Sequence, residues 1–127
     1  MMLVLIVDGS IQIIERIVEM LTELNKATSF YSAISYQEAI TCFKKNKPSV
    51  VLLDGYLPQN QSFKLLREIK HTGYKTAIIV LSVSIDDFIK KQYMLHGADY
   101  VLDKYHEFEK IPIVINSITG SNKSQIL

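Results

Sequence analysis

Asp8, Asp54, Ser82 and the pair Asp103 and Lys104 each follow directly on a short apolar run. LVLIV precedes Asp8, VVLL precedes Asp54, AIIVL precedes Ser82, and residues 100–102 precede Asp103 and Lys104. If those runs are parallel strands, their carboxyl ends bring carboxylates, a hydroxyl and an ammonium to one rim, which is where open parallel sheets bind ligands. Two carboxylates a few ångströms apart repel, and a hard cation taking oxygen ligands relieves the repulsion. A lysine beside them adds fixed positive charge; at about 4 Å and an effective dielectric of about 20, one such pair is worth about 4 kcal/mol. With a hydroxyl donor added, the cluster suits a phosphoryl group, whose negative charge is spread over its oxygens. One of the carboxylates can then act as nucleophile and become an aspartyl phosphate.

The elements that must position these groups follow from the hydrophobic pattern. Leu3 to Val7, Val50 to Leu53 and Ala77 to Leu81 lack polar alternation, as strands covered on both faces do. Weaker runs at 28–33 and 100–102 predict two flanking strands. Between the first two strands, Ile13, Ile14, Ile17, Val18 and Leu21 recur at helical spacing, with Glu15, Arg16, Glu19 and Glu23 opposite. Ser35 and Glu38 form a capping box for a second helix, with Ala39, Ile40 and Phe43 inward and an end before Pro48. Phe63, Leu66 and Ile69 mark a third helix that stops near Gly73. Ser84 and Asp87 are the expected caps of a fourth, running through Phe88, Ile89 and Leu95 to Gly97. Pro112 suits the first turn of a fifth helix over about 111–118, with a frayed polar tail after Gly120. Five strands alternating with five helices specify an α/β sandwich with a parallel central sheet and right-handed crossovers.

Composition narrows the function. A chain of 127 residues, 48% hydrophobic and 21% charged, predicts one globular domain, here 1–119, followed by a polar tail at 120–127. Fourteen basic against 13 acidic residues leave a formal charge of +1, so no nucleic-acid partner is expected. The single cysteine, Cys42, lies on an apolar helix side and cannot form an internal disulfide, which points away from an oxidising compartment. The opening apolar run is too short for a signal core or a membrane span, and no later run is longer, so a cytoplasmic chain with no membrane contact is expected. His71, His96 and His106 show no metal-ligand spacing. No glycine-rich phosphate loop follows Val7 and no Asp-x-Asp pair surrounds Asp54, which argues against a nucleotide-binding enzyme or a phosphohydrolase.

The segments LVLIVDGS, VVLLDGYLP, IIVLSVS and GADYVLDK resemble, in order and spacing, the four signature stretches of the receiver domain of bacterial response regulators, the CheY-like family. The resemblance covers about residues 2 to 118. It implies a single (βα)5 flavodoxin-like three-layer sandwich with a parallel sheet of order 2-1-3-4-5. It also implies a phosphorylation switch in a two-component or phosphorelay system, not an enzyme beyond self-catalysed phosphoryl transfer and autodephosphorylation. The phosphoryl group would come from a histidine kinase or a phosphotransfer protein. Asp54, followed by Leu57 and Pro58, matches the phosphate acceptor. Asp8 matches one of the acidic residues that gather magnesium, together with Asp54 and the Tyr56 carbonyl. Ser82 matches the hydroxyl that binds the phosphoryl group, and Lys104 the lysine that contacts the phosphorylated aspartate. Output is expected through protein contacts on the face of the fourth helix, fifth strand and fifth helix, with Tyr93 and Tyr105 on that surface.

Several positions depart from the family pattern. Gly9 stands where a second acidic residue is usual, which removes a direct magnesium ligand; even changes beyond the ligands cost typically about 10–100-fold, so weak magnesium binding is expected. Val101 replaces an aromatic that turns inward on activation, and Tyr100 cannot stand in because neighbouring strand residues point to opposite faces. Val83 is larger than the usual small residue, Tyr105 replaces a proline, and Ser62 stands where glycine is common. Tyr56 and Val83 flank the path of attacking water, which implies slow hydrolysis of the aspartyl phosphate. These departures keep an alternative open: a pseudo-receiver that retains the fold and docks without being phosphorylated.

Overall fold

The computed structural model describes residues 2–24, 28–83 and 86–126, with side chains up to residue 118. Strands and helices alternate along the chain: β1 (Met2–Val7), α1 (Ile11–Leu24), β2 (Thr28–Ala33), α2 (Tyr36–Asn46), β3 (Val50–Asp54), α3 (Gln61–His71), β4 (Ala77–Ser82), α4 (Asp87–Leu95), β5 (Tyr100–Asp103) and α5 (Ile111–Ile126). Single 3-10 turns at Pro58–Asn60 and Phe108–Lys110 lead into α3 and α5. All strand pairs are parallel, in the order β2-β1-β3-β4-β5. The order reverses at β1, so the crevice above β1 and β3 is where a ligand site is expected.

The unbroken apolar runs are explained by two cores, one on each side of the sheet. Leu5, Val7, Val51, Leu53, Ile78, Val80 and Val101 pack beneath Ala39, Ile40 and Phe43 of α2 and Leu65, Leu66 and Ile69 of α3. The alternate residues Val4, Ile6, Val50, Leu52, Ile79, Leu81 and Leu102 pack against Ile14, Ile17 and Leu21 of α1 and Phe108, Ile111 and Ile115 near and in α5. Each such side chain contributes roughly 1.5–3 kcal/mol by leaving water. All five residues of β3 are buried, and this holds Asp54 at the end of the most enclosed strand.

The predicted capping box is present: Ser35 Oγ accepts the Glu38 N–H at 3.3 Å. Gly73 (φ 72) and Gly97 (φ 113) adopt the left-handed backbone just beyond α3 and α4, as helix-ending glycines do.

Two helix expectations need correction. The cap of α4 is Asp86, whose carboxylate accepts the Ile89 N–H at 2.8 Å; Asp87 sits in the first turn, and Ser84 lies outside the described residues. Ile89 and Tyr93, four residues apart, share the inward face of α4, and Phe88 and Leu95 turn outward, each 70% exposed. The second correction concerns α5, which does not end near Ile118 but continues through Gly120 to Ile126. An interior glycine costs a helix only about 1 kcal/mol relative to alanine and does not by itself stop one.

Candidate functional site

The carboxyl ends of β1, β3 and β5 converge on one ion cluster. Lys104 Nζ lies 2.8 Å from Asp8 Oδ2 and 3.3 Å from Asp54 Oδ1. All three residues are nearly sealed from solvent, with relative exposures of 2% (Asp8), 7% (Asp54) and 9% (Lys104). Backbone bonds at the strand ends fix their bearings. Asp8 N–H donates to Ala33 O at 3.0 Å, and Asp8 Oδ1 accepts the Ser10 N–H at 2.8 Å where the chain turns into α1. Lys104 N–H donates to Ser82 O at 2.8 Å, which ties the ammonium-bearing residue to the end of β4. Ser82 is itself buried and pairs in register with Asp103.

Asp103 does not join the cluster. Its Oδ1 accepts the N–H groups of Tyr105 and His106 at 2.9 and 2.8 Å, closing the turn after β5. The predicted gathering of Asp8, Asp54 and Lys104 is therefore observed, with Ser82 on the neighbouring strand end.

Burial raises the Asp54 carboxyl above its ordinary pKa, and the charge of Asp8 adds to the rise; Lys104 and the Tyr56 N–H, 3.0 Å from Oδ1, oppose it without reversing it. For Lys104, burial alone would lower the pKa. The hydrogen bond to Asp8 and the charges of Asp54 and Asp8 outweigh burial, and the net shift is upward. The ammonium therefore persists across the neutral range. The sign for Asp54 carries a stability prediction. A carboxyl with a raised folded pKa favours the fold most below its unfolded pKa, and that contribution is lost as pH rises through the folded value. Asp54→Asn should therefore be more stable than the parent at neutral pH, with the advantage shrinking as pH falls through the raised folded pKa and levelling off below the unfolded value of about 4. Urea unfolding of both proteins across that range measures the difference.

The first turn of α3 holds a residue that stands out in the sequence only as a departure from the family pattern. Ser62, 1% exposed, donates its hydroxyl to Asp54 O at 2.7 Å and accepts the Leu57 N–H at 3.0 Å. It thereby spans the turn that leads from Asp54 into α3. The available signal was its register: residues 62, 65, 66 and 69 share one helical face, so a polar residue at 62 points inward. Ser62→Ala strands two buried backbone groups and should cost about 1–3 kcal/mol in urea unfolding.

Val101 is buried in the core beside Val80. Tyr105 is 70% exposed, as expected, but Tyr93 is not on the surface: at 3% exposure its ring stacks on Phe63 of α3, with centroids 4.3 Å apart. The stacking on Phe63, together with the hydroxyl's bond to Gly55 O, holds Tyr93 on the inward face of α4.

The donor set was weighed against magnesium, which keeps several waters and needs only one or two carboxylates. Asp8 Oδ2 is buried and, apart from the Lys104 ammonium, has no hydrogen-bond donor, so it retains acceptor capacity. Asp54 supplies the second carboxylate. Among the described residues no group of three or more His, Cys, Asp or Glu gathers, and Gly9 is exposed. The residues present fit magnesium through one or two carboxylates, not a dedicated protein cage.

This arrangement of fold and site is that of a receiver domain. The family model for the response regulator receiver domain matches residues 4–116, and the chain belongs to that family, whose members act as phosphorylation-dependent switches in two-component signalling. It is 30% identical over 112 residues to the sensory transduction protein LytT of Enterococcus faecalis, covering 88% of this chain and 46% of that protein. It is 24% identical over 105 residues to the probable C4-dicarboxylate response regulator DctR of Priestia megaterium, covering 82% of this chain and 45% of that one. The chain thus spans about half the length of these curated relatives. A response regulator receiver domain from Clostridium thermocellum superposes with a TM-score of 0.84 at 25% identity, covering 98% of this chain and 99% of that one. Among the described residues no helix is long and apolar enough to cross a membrane.

Proposed function

We propose that Asp54 is the phosphoacceptor of this receiver domain. The observation that carries the reading is the Lys104 ammonium held between Asp8 and Asp54, at 2.8 and 3.3 Å, on one rim of the sheet. An Asp54 carboxylate oxygen attacks the phosphorus of a phosphohistidine on a histidine kinase or phosphotransfer protein. The P–O bond forms as the P–N bond breaks, and the electron pair leaves with the imidazole. Lys104 faces the charge that gathers on the phosphoryl oxygens, and Ser82 at the end of β4 orients them by its hydroxyl. Magnesium, held by Asp8, Asp54 and the Tyr56 carbonyl, would supply neutralising charge to the phosphoryl group when bound. The exposed side chains of Tyr56 and Val83 beside this hollow slow the approach of water, and autodephosphorylation is slow.

Residues 1–119 carry the switch, and α5 extends past them to Ile126. Output runs through the α4-β5-α5 face to a downstream protein. Leu95, Tyr105 and Ile113 expose apolar surface on these elements and the turn after β5, and the near-neutral charge goes with a protein partner in the cytoplasm and not with nucleic acid. Incubating the chain with acetyl phosphate and magnesium, followed by intact-mass measurement, tests the reading. The parent should gain one phosphoryl group and Asp54→Asn none.

A second reading is favoured by Gly9 and Val101: a pseudo-receiver that docks constitutively. Failure of the parent to take the adduct at millimolar magnesium would favour that reading over the first.

A further inference from the structure

Tyr93 reaches from α4 to the loop that begins at the acceptor. Its hydroxyl donates to Gly55 O at 2.8 Å. The same peptide unit presents its N–H, that of Tyr56, to Asp54 Oδ1 at 3.0 Å. Asp54 and Tyr93 therefore hold opposite edges of one planar group, and a planar peptide transmits a rotation at one edge to the other. The preceding unit is pinned as well, because Gly55 N–H donates to Leu81 O at 2.8 Å, one residue before Ser82. The fit is close: a Cβ on Gly55 would lie 2.8 Å from the Tyr93 hydroxyl and 3.2 Å from Leu81 O. Burial, and then the charge of Asp54, raise the pKa of Tyr93, so the phenol already feels the acceptor carboxylate. A groove of about 510 Å³, lined in part by Gly55, Tyr56, Phe63, Ser82 and Tyr93, opens beside the ring and leaves it room to move.

We propose that Tyr93 is a positioning residue that carries the state of Asp54 to α4 through the 55–56 peptide and its hydrogen bond to the Tyr93 hydroxyl. The inference rests on Asp54 being the phosphoacceptor. Once an Asp54 oxygen carries phosphorus, the carboxylate loses charge and symmetry, the bond from Tyr56 N–H weakens and the peptide turns. The Gly55 carbonyl turns with it. Tyr93, stacked on Phe63, either follows or releases, and α4 shifts accordingly. No aromatic on β5 is needed, which suits Val101 at the position where the family usually has one.

The test uses the whole chain, isotopically labelled, as parent and as Tyr93→Phe, which keeps the stacked ring and removes only the hydroxyl. Each is treated with acetyl phosphate and magnesium, its intact mass is measured, and amide spectra are compared before and after. Both proteins should take one phosphoryl group with yields within about twofold, and both should respond at residues 55–57. The response of residues 87–95 in Tyr93→Phe should fall below about one third of the parent's. A full response of α4 in Tyr93→Phe carrying the adduct overturns the inference and leaves the acceptor reading intact. Loss of the adduct in Tyr93→Phe alone also overturns it, because Tyr93 would then serve the transfer step itself. No adduct on the parent overturns the acceptor reading, and with it this inference; the mass measurement makes that failure distinct.

Discussion

Lys104→Met should lower stability at pH 7 by about 3 kcal/mol, because it leaves two buried carboxylates facing each other without the cation that separates them. Removing one partner from a buried ionic group typically costs about 3–5 kcal/mol, more than the intact group contributes over an apolar replacement. Part of the loss is recoverable. Asp54 already has a raised pKa, and losing the ammonium removes a charge that opposes the rise. The variant should therefore regain stability on acidification, as Asp54 takes up a proton and the repulsion with Asp8 ends. The double variant Lys104→Met with Asp54→Asn should be restored toward the parent at pH 7, since one carboxylate then remains. Urea unfolding at pH 7 and about pH 5 gives all three comparisons. Equal stability of Lys104→Met and the parent at both pH values would show that the three groups do not interact as their distances require.

Gly9→Asp should tighten magnesium binding by about tenfold or more. A Cβ built on Gly9 meets nothing within 4 Å, and the backbone there has no positive φ, so a side chain enters without strain. The added carboxylate would stand next to Asp8, at an exposed position with few other oxygen donors. Magnesium is hard and doubly charged, and a further carboxylate near it adds attraction even where solvent screens part of it. Calorimetric titration of the parent and Gly9→Asp with magnesium measures the gain, and phosphorylation by acetyl phosphate at subsaturating magnesium should quicken in parallel. Unchanged affinity would place the ion elsewhere than this hollow.

How far the sequence alone reached differs from element to element. The runs before Asp8, Asp54 and Ser82 were readable because strands buried on both faces leave a continuous apolar stretch, and a residue at the end of such a strand has a foreseeable place on the rim. The Ser35 cap was readable because its partner Glu38 is local. The start of α4 was harder, since Asp86 and Asp87 are adjacent acids and either can cap. Its inward face was harder still: Phe88 and Leu95 are apolar too, and Tyr93 is held inward by Phe63 and Gly55 O, partners distant in sequence. Ser62 belongs with Tyr93: its role depends on Asp54 O and Leu57 N–H arriving from the preceding turn, which no local spacing announces. The length of α5 was misjudged because a glycine ends a helix only when it leaves the helical backbone, and Gly120 does not.

The acceptor assignment is tested most directly by chemistry at the residue itself. After reaction with a phosphorylated donor and magnesium, borohydride reduction converts an aspartyl phosphate to homoserine, and peptide mapping locates it. Homoserine at position 54 is the predicted result. Homoserine at position 8 or 103, or none in a protein that has gained a phosphoryl group, would contradict it.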